Sequence, residues 1–300
     1  MYTVKENVTK EAIENFLQSR QLTLDVPYQF SLGLFENSRL QGVLLYEDSL
    51  WESQMLQKKV MNVKLLAANS AGQLKRLFEA FYSVRQMDET DFIFVRVPAE
   101  DIGAAHVIQQ QPSSYFVGSL LKLAKPPSFY DKTAPFFELV PPEPGDTEAI
   151  CELARDSFTK SRYFQDPHLS REAANKIFQE WTRNNLNGRA AINIAAKHNG
   201  EVIGYLQGLS RDDECILDLM AVKPGFEGKR IAFHLLANLI EQPETQKHKT
   251  VTAGTQLHNV RAIRLYERMG FTAEQSYYYY HIWPGKGEKE WQGFRSQIRL

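Results

Sequence analysis

A glycine-containing loop joins a strand to a helix in the second half of the chain, and its backbone has the pattern of a phosphate-binding site. The loop lies within residues 222–232, VKPGFEGKRIA. Backbone N–H groups at the start of a helix converge on one point, where the helix macrodipole adds partial positive charge. Gly228 lets a ligand approach the backbone closely. Arg230 adds a cation beside such a ligand, whereas the carboxylate of Glu227 would repel it. The segment predicts an anion site, and a simple strand-to-helix turn is the alternative.

Regular elements on both sides of this loop would hold it in place. Residues 215–222, CILDLMAV, predict a strand, and apolar residues at helical spacing predict a helix over 231–240. AINIAAKH and EVIGYLQGL predict two strands joined by a tight turn at Asn199-Gly200. Further strands are predicted at FFELV, 249–255 and 277–283, and further helices at 147–158, 170–184 (capped by Ser170) and 259–269 (ended by Gly270). The fold class is therefore α/β (α+β), with a mixed central sheet flanked by helices.

The first 130 residues predict a smaller α+β domain. Strand patterns occupy residues 28–34 and 92–97, and a helical pattern occupies 71–85. The proline-rich segments KPPS and PPEPG follow, so we place the boundary at 125–134. The expected organisation is an N-terminal domain at 1–130, a second domain at 134–285 and a tail at 286–300. No internal repeat is visible.

The composition excludes several classes of protein. The 300 residues carry 35 basic and 36 acidic side chains, and a net charge of −1 gives no global field to attract nucleic acid or an anionic membrane. No apolar run is long enough for a membrane span or a secretion signal, and two cysteines cannot form a disulfide framework. We therefore expect a cytoplasmic protein without nucleic-acid or membrane partners. The histidines show no metal-ligand spacing, so we expect no metal.

A second motif follows the loop. Thr255 and Gln256 precede residues 259–271, NVRAIRLYERMGF. The loop and this motif together resemble the GNAT superfamily of N-acetyltransferases, whose usual pattern has Arg or Gln at position 227 and Gly at position 230. The resemblance implies a GNAT-type sheet and acetyl-CoA as cosubstrate, with a backbone N–H near Met220 or Ala221 for the thioester carbonyl. The implied cofactor-binding residues are Met220, Ala221, Val222, Glu227, Gly228, Lys229, Arg230, Ile231, Ala232 and Asn259.

The same resemblance implies residues for proton transfer. Tyr266 occupies the position of the general acid that protonates the CoA thiolate, although packing on its helix is an alternative role. Asp218 corresponds to an acidic base in many members, although an exposed position at the end of a strand is an alternative. From the residues alone, His281 in the aromatic run YYYYHIW is a second possible base, with a hydrogen-bonded histidine at a sheet edge as the alternative. A water chain is a third route for the amine proton.

A closer resemblance extends over residues 45–283. DSFTKSRYFQDP at 156–167 and SYYYYHIW at 276–283 are similar to the dTDP-fucosamine acetyltransferase family, which acetylates dTDP-4-amino-4,6-dideoxygalactose. It implies a small-molecule amine, a nucleotide sugar, as acceptor. Arg162 would contact its diphosphate, and Tyr163, Phe164 and Trp181 would stack on it unless they only line the cleft. Acetylation of a protein or small amine, a GNAT-like module with weakened CoA binding, and a homodimer remain open.

Overall fold

The computed structural model describes residues 2–22, 24, 26–84, 92–130 and 133–285. The predicted tail at 286–300 lies outside these ranges. Internal contacts divide the chain into two compact units. The first comprises Met1–Gly118, Gln165–Leu169 and Tyr277–Leu300, and the second comprises Ser119–Phe164 and Ser170–Ser276. These limits differ from the predicted division near residue 130, because segments distant in sequence pack with the first unit.

The first unit is a mixed sheet with helices on both faces. Its strands lie in the order β1 (Tyr2–Glu6), β2 (Phe30–Glu36), β3 (Arg39–Asp48), β4 (Val60–Ala68) and β5 (Phe92–Pro98), followed by the later part of β12 (Thr272–Ile282). Only β4 and β5 are parallel among these pairs. The helices α3 (Ala71–Val84) and α4 (Ile102–Gln109) cover one face, and α1 (Lys10–Gln18) covers the other, while α2 (Leu50–Leu56) links β3 to β4.

The second unit has its own mixed sheet. Its strands lie in the order β6 (Ser114–Lys125, from Ser119 onward), β11 (Thr250–Gln256), β10 (Glu214–Val222), β9 (Glu201–Arg211), β8 (Ile192–His198) and β7 (Glu138–Val140). Only β10 and β11 are parallel. The helices are α5 (Thr147–Ser157), α6 (Arg171–Asn184), α7 (Ile231–Glu241), α8 (Pro243–Gln246) and α9 (Val260–Arg268).

Close packing fixes α7 on the sheet of the second unit. Leu235, Leu236 and Leu239 are completely buried, and burial of each such side chain contributes about 1.5–3 kcal/mol. A Cβ atom at Gly208 of β9 would lie 2.6 Å from the Cδ1 atom of Leu239, so a larger residue there would require the Leu239 side chain to shift. α7 is thereby packed against the sheet, and residues 223–230 connect its start to the end of β10.

The two units repeat one order of elements. Three antiparallel strands (β2, β3 and β4) are followed by α3 and the parallel strand β5 in the first unit; β8, β9 and β10 are followed by α7 and the parallel strand β11 in the second. Asn69 and Ser70 alone separate β4 from α3, whereas residues 223–230 separate β10 from α7. The repeat is one of topology, and only the second unit has a glycine loop before its central helix.

The strand that completes each sheet comes from an unexpected part of the chain. β6 precedes the rest of the second unit in sequence and pairs with β11, from Val251↔Lys125 to Gln256↔Leu120. The strand predicted at 277–283 is present, but it pairs with β5 of the first unit, from Tyr277↔Pro98 to Ile282↔Ile93. Its buried Tyr280 and Ile282 belong to the core of that unit.

Most elements predicted in the second half are confirmed. Asn199 and Gly200 form the predicted turn with φ of 51° and 81°, and the Ser170 hydroxyl accepts a 3.1 Å hydrogen bond from the Ala173 N–H at the start of α6. Gly270 ends α9 with φ of 79°. The prediction missed β1, β3, β4, β6, α1, α2, α4 and α8.

Candidate functional site

The parallel strands β10 and β11 separate beyond a bulge at Asp218. Their pairing runs from Glu214↔Thr250 to Leu217↔Ala253, and within the described residues it goes no further. The register of β10 against β9 shifts between Leu217 and Leu219, as a bulge requires. β11 continues to Gln256 beside β6. The edge of β10 that faces β11 is therefore open over residues 219–222.

The bulge decides which backbone N–H groups face this open edge. Before it, the Asp213 carbonyl accepts the N–H of Thr250, on the β11 side, at 3.2 Å; after it, Lys223 donates its N–H to the carbonyl of Ile203, on the β9 side, at 2.9 Å. Alternate residues of a strand direct their N–H groups to opposite edges. Counting back from Lys223, Ala221 faces β9, whereas Met220 and Val222 face the open edge. Of the two residues predicted for the thioester carbonyl, the register favours Met220.

The loop after β10 has the backbone of an anion cradle. Gly225, Gly228 and Arg230 have φ of 87°, 78° and 61°. Arginine in this left-handed region costs about 1–2 kcal/mol, which explains why the family pattern has glycine at position 230. A side chain at Gly228 would meet no atom within 4 Å. An open cavity of about 490 Å³, lined by Phe136, Gly228, Lys229 and Arg230, lies here.

Two cations border this cavity. The Nζ atom of Lys229 lies 4.6 Å from the ring centroid of Phe226 and 5.8 Å from that of Phe136, and the guanidinium of Arg230 lies 4.6 Å from the ring centroid of Phe233. Ile231, the first residue of α7, is buried, so only its backbone faces the loop. Main-chain N–H groups and two flexible cations can together bind phosphate.

The Glu227 side chain bonds to the loop itself. Its Oε2 atom accepts a 2.7 Å hydrogen bond from the N–H of Gly225. Hydrogen bonds from its own N–H and from that of Gly225 hold the pKa of Glu227 below its usual range. The carboxylate is therefore ionised at neutral pH, and these bonds compensate part of its charge.

Asn259 lies at the N-terminal end of α9 with its side chain held on both sides. Its Nδ2 atom donates to the hydroxyl of Thr255 at 3.0 Å, and its Oδ1 atom accepts from the Nζ of Lys160 at 3.3 Å. Thr255 belongs to the part of β11 that has separated from β10. The Asn259 amide is thus oriented beside the opened strand pair, as the cofactor role predicted for it would require.

Tyr266 is the buried residue of α9, and 4% of its surface is exposed. Its ring packs 5.6 Å from that of Phe271. Within the described ranges its hydroxyl has no hydrogen-bond partner. Burial raises the pKa of Tyr266 to about 12, so the hydroxyl keeps its proton at neutral pH. It can donate one hydrogen bond to a ligand.

Asp218, at the bulge, is held by three donors on one oxygen. Its Oδ2 atom accepts from the indole N–H of Trp181 at 2.7 Å, from the amide of Asn185 at 2.8 Å and from the guanidinium of Arg189 at 2.7 Å. The Asn185 amide also donates to the Oε1 atom of Gln207 at 2.9 Å. A polar network on the α6 side of β10 thus orients this carboxylate.

Trp181 connects this polar network to a group of stacked aromatic rings. The ring of Phe178 is parallel to that of Trp181 within 5°, at 5.9 Å, and stacks on Phe164 at 6.4 Å. Tyr163 is only 3% exposed, and the Arg162 guanidinium lies 4.1 Å from its ring centroid and donates to its hydroxyl. Tyr163 is a packing residue in this arrangement, whereas Phe164 and Trp181 remain partly exposed.

His281 belongs to the first unit and is completely buried. Its Nδ1 atom lies 2.5 Å from Oδ2 of Asp166, which also accepts the indole N–H of Trp283 at 3.0 Å. Despite the cost of burial, hydrogen bonds from His281, the His168 N–H and Trp283 hold the pKa of Asp166 below its usual range. A side chain without solvent access suits a structural role better than that of a base, so of the two predicted bases Asp218 is the better placed.

Several residues of this region were not predicted. Arg189 and Asn185 lie at the end of α6, where a π-turn (Asn185–Arg189) contains Gly188 with φ of 102°. Asn187-Gly188 looks like an ordinary turn in sequence, so nothing there points to a role for Arg189. The pairing of Asp166 with His281 and Trp283 could have been predicted, because the segments 156–167 and 276–283 both resemble the dTDP-fucosamine acetyltransferase family.

In the described part of the chain, no three His, Cys, Asp or Glu side chains are grouped as metal ligands. Among the same residues, no helix combines the length and hydropathy of a membrane span.

Comparison with solved structures identifies proteins of the same fold. A GCN5-related N-acetyltransferase from Sphaerobacter thermophilus superposes with a TM-score of 0.63 at 14% identity, covering 96% of this chain and 98% of that one. A tandem GNAT protein from the clavulanic acid biosynthesis pathway gives 0.61 at 12% identity, covering 96% and 100%. A GCN5-related glucosamine N-acetyltransferase region of a fungal multi-domain β-N-acetylglucosaminidase gives 0.62 at 13% identity, covering 94% of this chain and 38% of that one.

Sequence comparison identifies a relative of much higher identity. The spore coat polysaccharide biosynthesis protein SpsD of Bacillus subtilis (strain 168) is 94% identical over 289 residues, which is 96% of this chain and all of that protein. The model of the acetyltransferase (GNAT) family matches residues 147–271, which include the β10 bulge, the glycine loop and α9. With this match, these relatives and the shared fold, the chain belongs to the GNAT family of acetyltransferases.

Proposed function

We propose that this acetyltransferase moves the acetyl group of acetyl-CoA to the amine of a nucleotide-activated amino sugar, by direct attack of the amine on the thioester. The observation that carries the proposal is the open edge of β10, which presents the Met220 N–H and leads directly into the glycine loop. Acetyl-CoA carries an activated acetyl group and a diphosphate. The Met220 N–H suits the acetyl group, and the glycine loop suits the diphosphate.

The loop and the start of α7 would bind the diphosphate. Main-chain N–H groups around Gly228 supply the donors, and the dipole of an 11-residue helix adds to them. Lys229 and Arg230 border the same cavity and neutralise the phosphate charge. Asn259 would donate to the pantetheine arm where β10 and β11 have separated.

Three groups of this chain would carry the transfer. The Met220 N–H donates to the thioester carbonyl oxygen, where negative charge develops. Asp218 accepts the proton that the attacking amine loses. Tyr266 donates a hydrogen bond to the departing sulfur. A thiol such as that of cysteine has a pKa of about 8.5, well below the value of about 12 for Tyr266, so Tyr266 keeps its proton and stabilises the thiolate through this hydrogen bond.

Two observations support an amino sugar as the acceptor. SpsD is named for polysaccharide biosynthesis, and the segments around Arg162 and His281 resemble a family that acetylates a nucleotide-linked amino sugar. The partly exposed rings of Phe164 and Trp181 offer aromatic surface for a sugar or a base beside Asp218.

Calorimetry with acetyl-CoA, followed by turnover, tests the proposal. We expect micromolar binding by the native chain and loss of binding in Gly228→Trp, because the indole would fill the cavity. Gly200→Trp is the matched control, since Gly200 also has a positive φ and open space around its Cβ position but lies in the β8–β9 turn. Acetylated product is then sought by mass spectrometry with dTDP-4-amino-4,6-dideoxygalactose and with unactivated amines.

The outcomes separate the parts of the proposal. No binding of acetyl-CoA by the native chain would refute its use as the acetyl donor. Binding with turnover of unactivated amines alone would refute the nucleotide sugar as acceptor. Equal binding of acetyl-CoA by the native chain and by Gly228→Trp would show that the glycine loop does not form the cofactor site.

A further inference from the structure

Arg189 is the exposed member of the network around Asp218. Its side chain is 38% exposed, whereas that of Asp218 is 9% exposed. Its NH1 atom donates to Oδ2 of Asp218 at 2.7 Å and to Oδ1 of Asn185 at 2.5 Å, and its guanidinium lies 5.6 Å from the ring centroid of Trp181. Arg189 thus covers the carboxylate from the solvent side.

The oxygen that Arg189 contacts has more donors than it can accept well. Oδ2 of Asp218 receives N–H groups from Trp181, Asn185 and Arg189, although a carboxylate oxygen has two lone pairs. Trp181 is held by stacking on Phe178, and Asn185 is completely buried. Arg189 is the donor that can leave without disturbing the core.

Arg189 also has donors to spare. Among the described residues, all of its hydrogen bonds come from NH1, so NH2 and Nε have no hydrogen-bond partner there. Arg183, one turn and a half earlier, differs: its NH1 and NH2 atoms bond both oxygens of Glu148, at 2.7 and 3.1 Å. A guanidinium with two unused donors at the surface fits a phosphate group.

We propose that Arg189 binds a phosphate group of the acceptor substrate and, in doing so, releases Asp218 to accept the amine proton. The proposal rests on the proposed function, since it assigns the residue that selects acceptors with a phosphate. Without such an acceptor, Arg189 keeps the carboxylate in an ion pair. When an acceptor with a phosphate binds, NH2 and Nε of Arg189 donate to the phosphate and draw the guanidinium toward it, so NH1 leaves Oδ2 of Asp218, which keeps two of its three donors.

Matched acceptors test this selection. The same amino sugar is offered as its nucleoside diphosphate ester and as its neutral methyl glycoside, with saturating acetyl-CoA. We expect Arg189→Gln to lower kcat/KM for the diphosphate ester about ten- to hundredfold, the value of a charge-assisted hydrogen bond. For the methyl glycoside we expect kcat/KM to be unchanged or higher. Arg189→Lys should restore part of the selectivity, and Arg183→Gln should leave both values unchanged.

An equal fall with both acceptors in Arg189→Gln would mean a structural role and would overturn the proposal, as would an unchanged kcat/KM for the diphosphate ester. If the native chain acetylates neither acceptor, the proposed function itself fails. Thermal melting of each variant shows whether the fold is retained. A lost preference with an unchanged melting temperature supports the proposal.

Discussion

Replacement of Met220 by proline would remove one backbone N–H from the open edge of β10 and leave the sheet intact. The register directs this N–H away from β9, and no β11 pairing exists at this position within the described residues, so no ladder bond is lost. The preceding residue is already in a strand, the conformation that proline favours before it. Met220→Ala is the control, because it shortens the side chain and keeps the N–H.

The expected loss is that of one oxyanion donor. Removal of such a donor costs about 2.7–4 kcal/mol of transition-state stabilisation, or about 10²–10³ in kcat. Ala221→Pro should behave differently, since the Ala221 N–H faces Tyr205 of β9, and loss of this ladder hydrogen bond should destabilise the fold by about 1–3 kcal/mol. Thiol release from acetyl-CoA measures kcat, and thermal melting measures the fold. If Met220→Pro is folded and its kcat lies within about threefold of that of Met220→Ala, the assignment of this donor is wrong.

Three further changes probe other parts of the chain. Tyr266→Phe should lower kcat about 10²-fold with little change in melting temperature, because its hydroxyl bonds to no described residue; unchanged turnover in the thiol-release assay would exclude it as a donor. Glu227→Gln should tighten acetyl-CoA binding about two- to fivefold by calorimetry, less at high salt, and unaltered affinity would mean that the carboxylate points away from the phosphates. Asp166→Asn should destabilise the fold by about 2–4 kcal/mol at neutral pH. The pKa of Asp166 is lower in the folded chain than its unfolded value of about 4, so the ionised carboxylate stabilises the fold above about pH 4. This stabilisation is lost as the pH falls through the folded pKa. Urea unfolding at several pH values measures that difference, and a gap that persists unchanged below pH 4 would contradict the account.

Local patterns predicted the second unit because its signals are local. The Asn199-Gly200 turn, the Ser170 cap and the Gly270 helix end each depend on a few neighbouring residues, and all three are present. The glycine loop was found for the same reason. The β10 bulge was not, because a bulge is defined by the partner strand, which periodicity does not describe.

Features that depend on distant residues escaped prediction. The repeated topology of the two units leaves no visible sequence repeat, since the same strand order can be built from many apolar sequences. Arg189 was missed because its importance comes from Asp218, 29 residues later. His281 was predicted either as a base or as a hydrogen-bonded histidine at a sheet edge, and its burial beside Asp166 depends on a residue 115 positions earlier in the chain.

The pairing of β12 with β5 of the first unit has a consequence for synthesis on the ribosome. The strand that pairs with β5 lies roughly 180 residues further along the chain, so one edge of β5 stays unpaired until residues 277–282 have been synthesised. Such an edge can pair with other chains. The N-terminal unit therefore cannot finish folding first, and nascent chains released early should be prone to aggregation and dependent on chaperones.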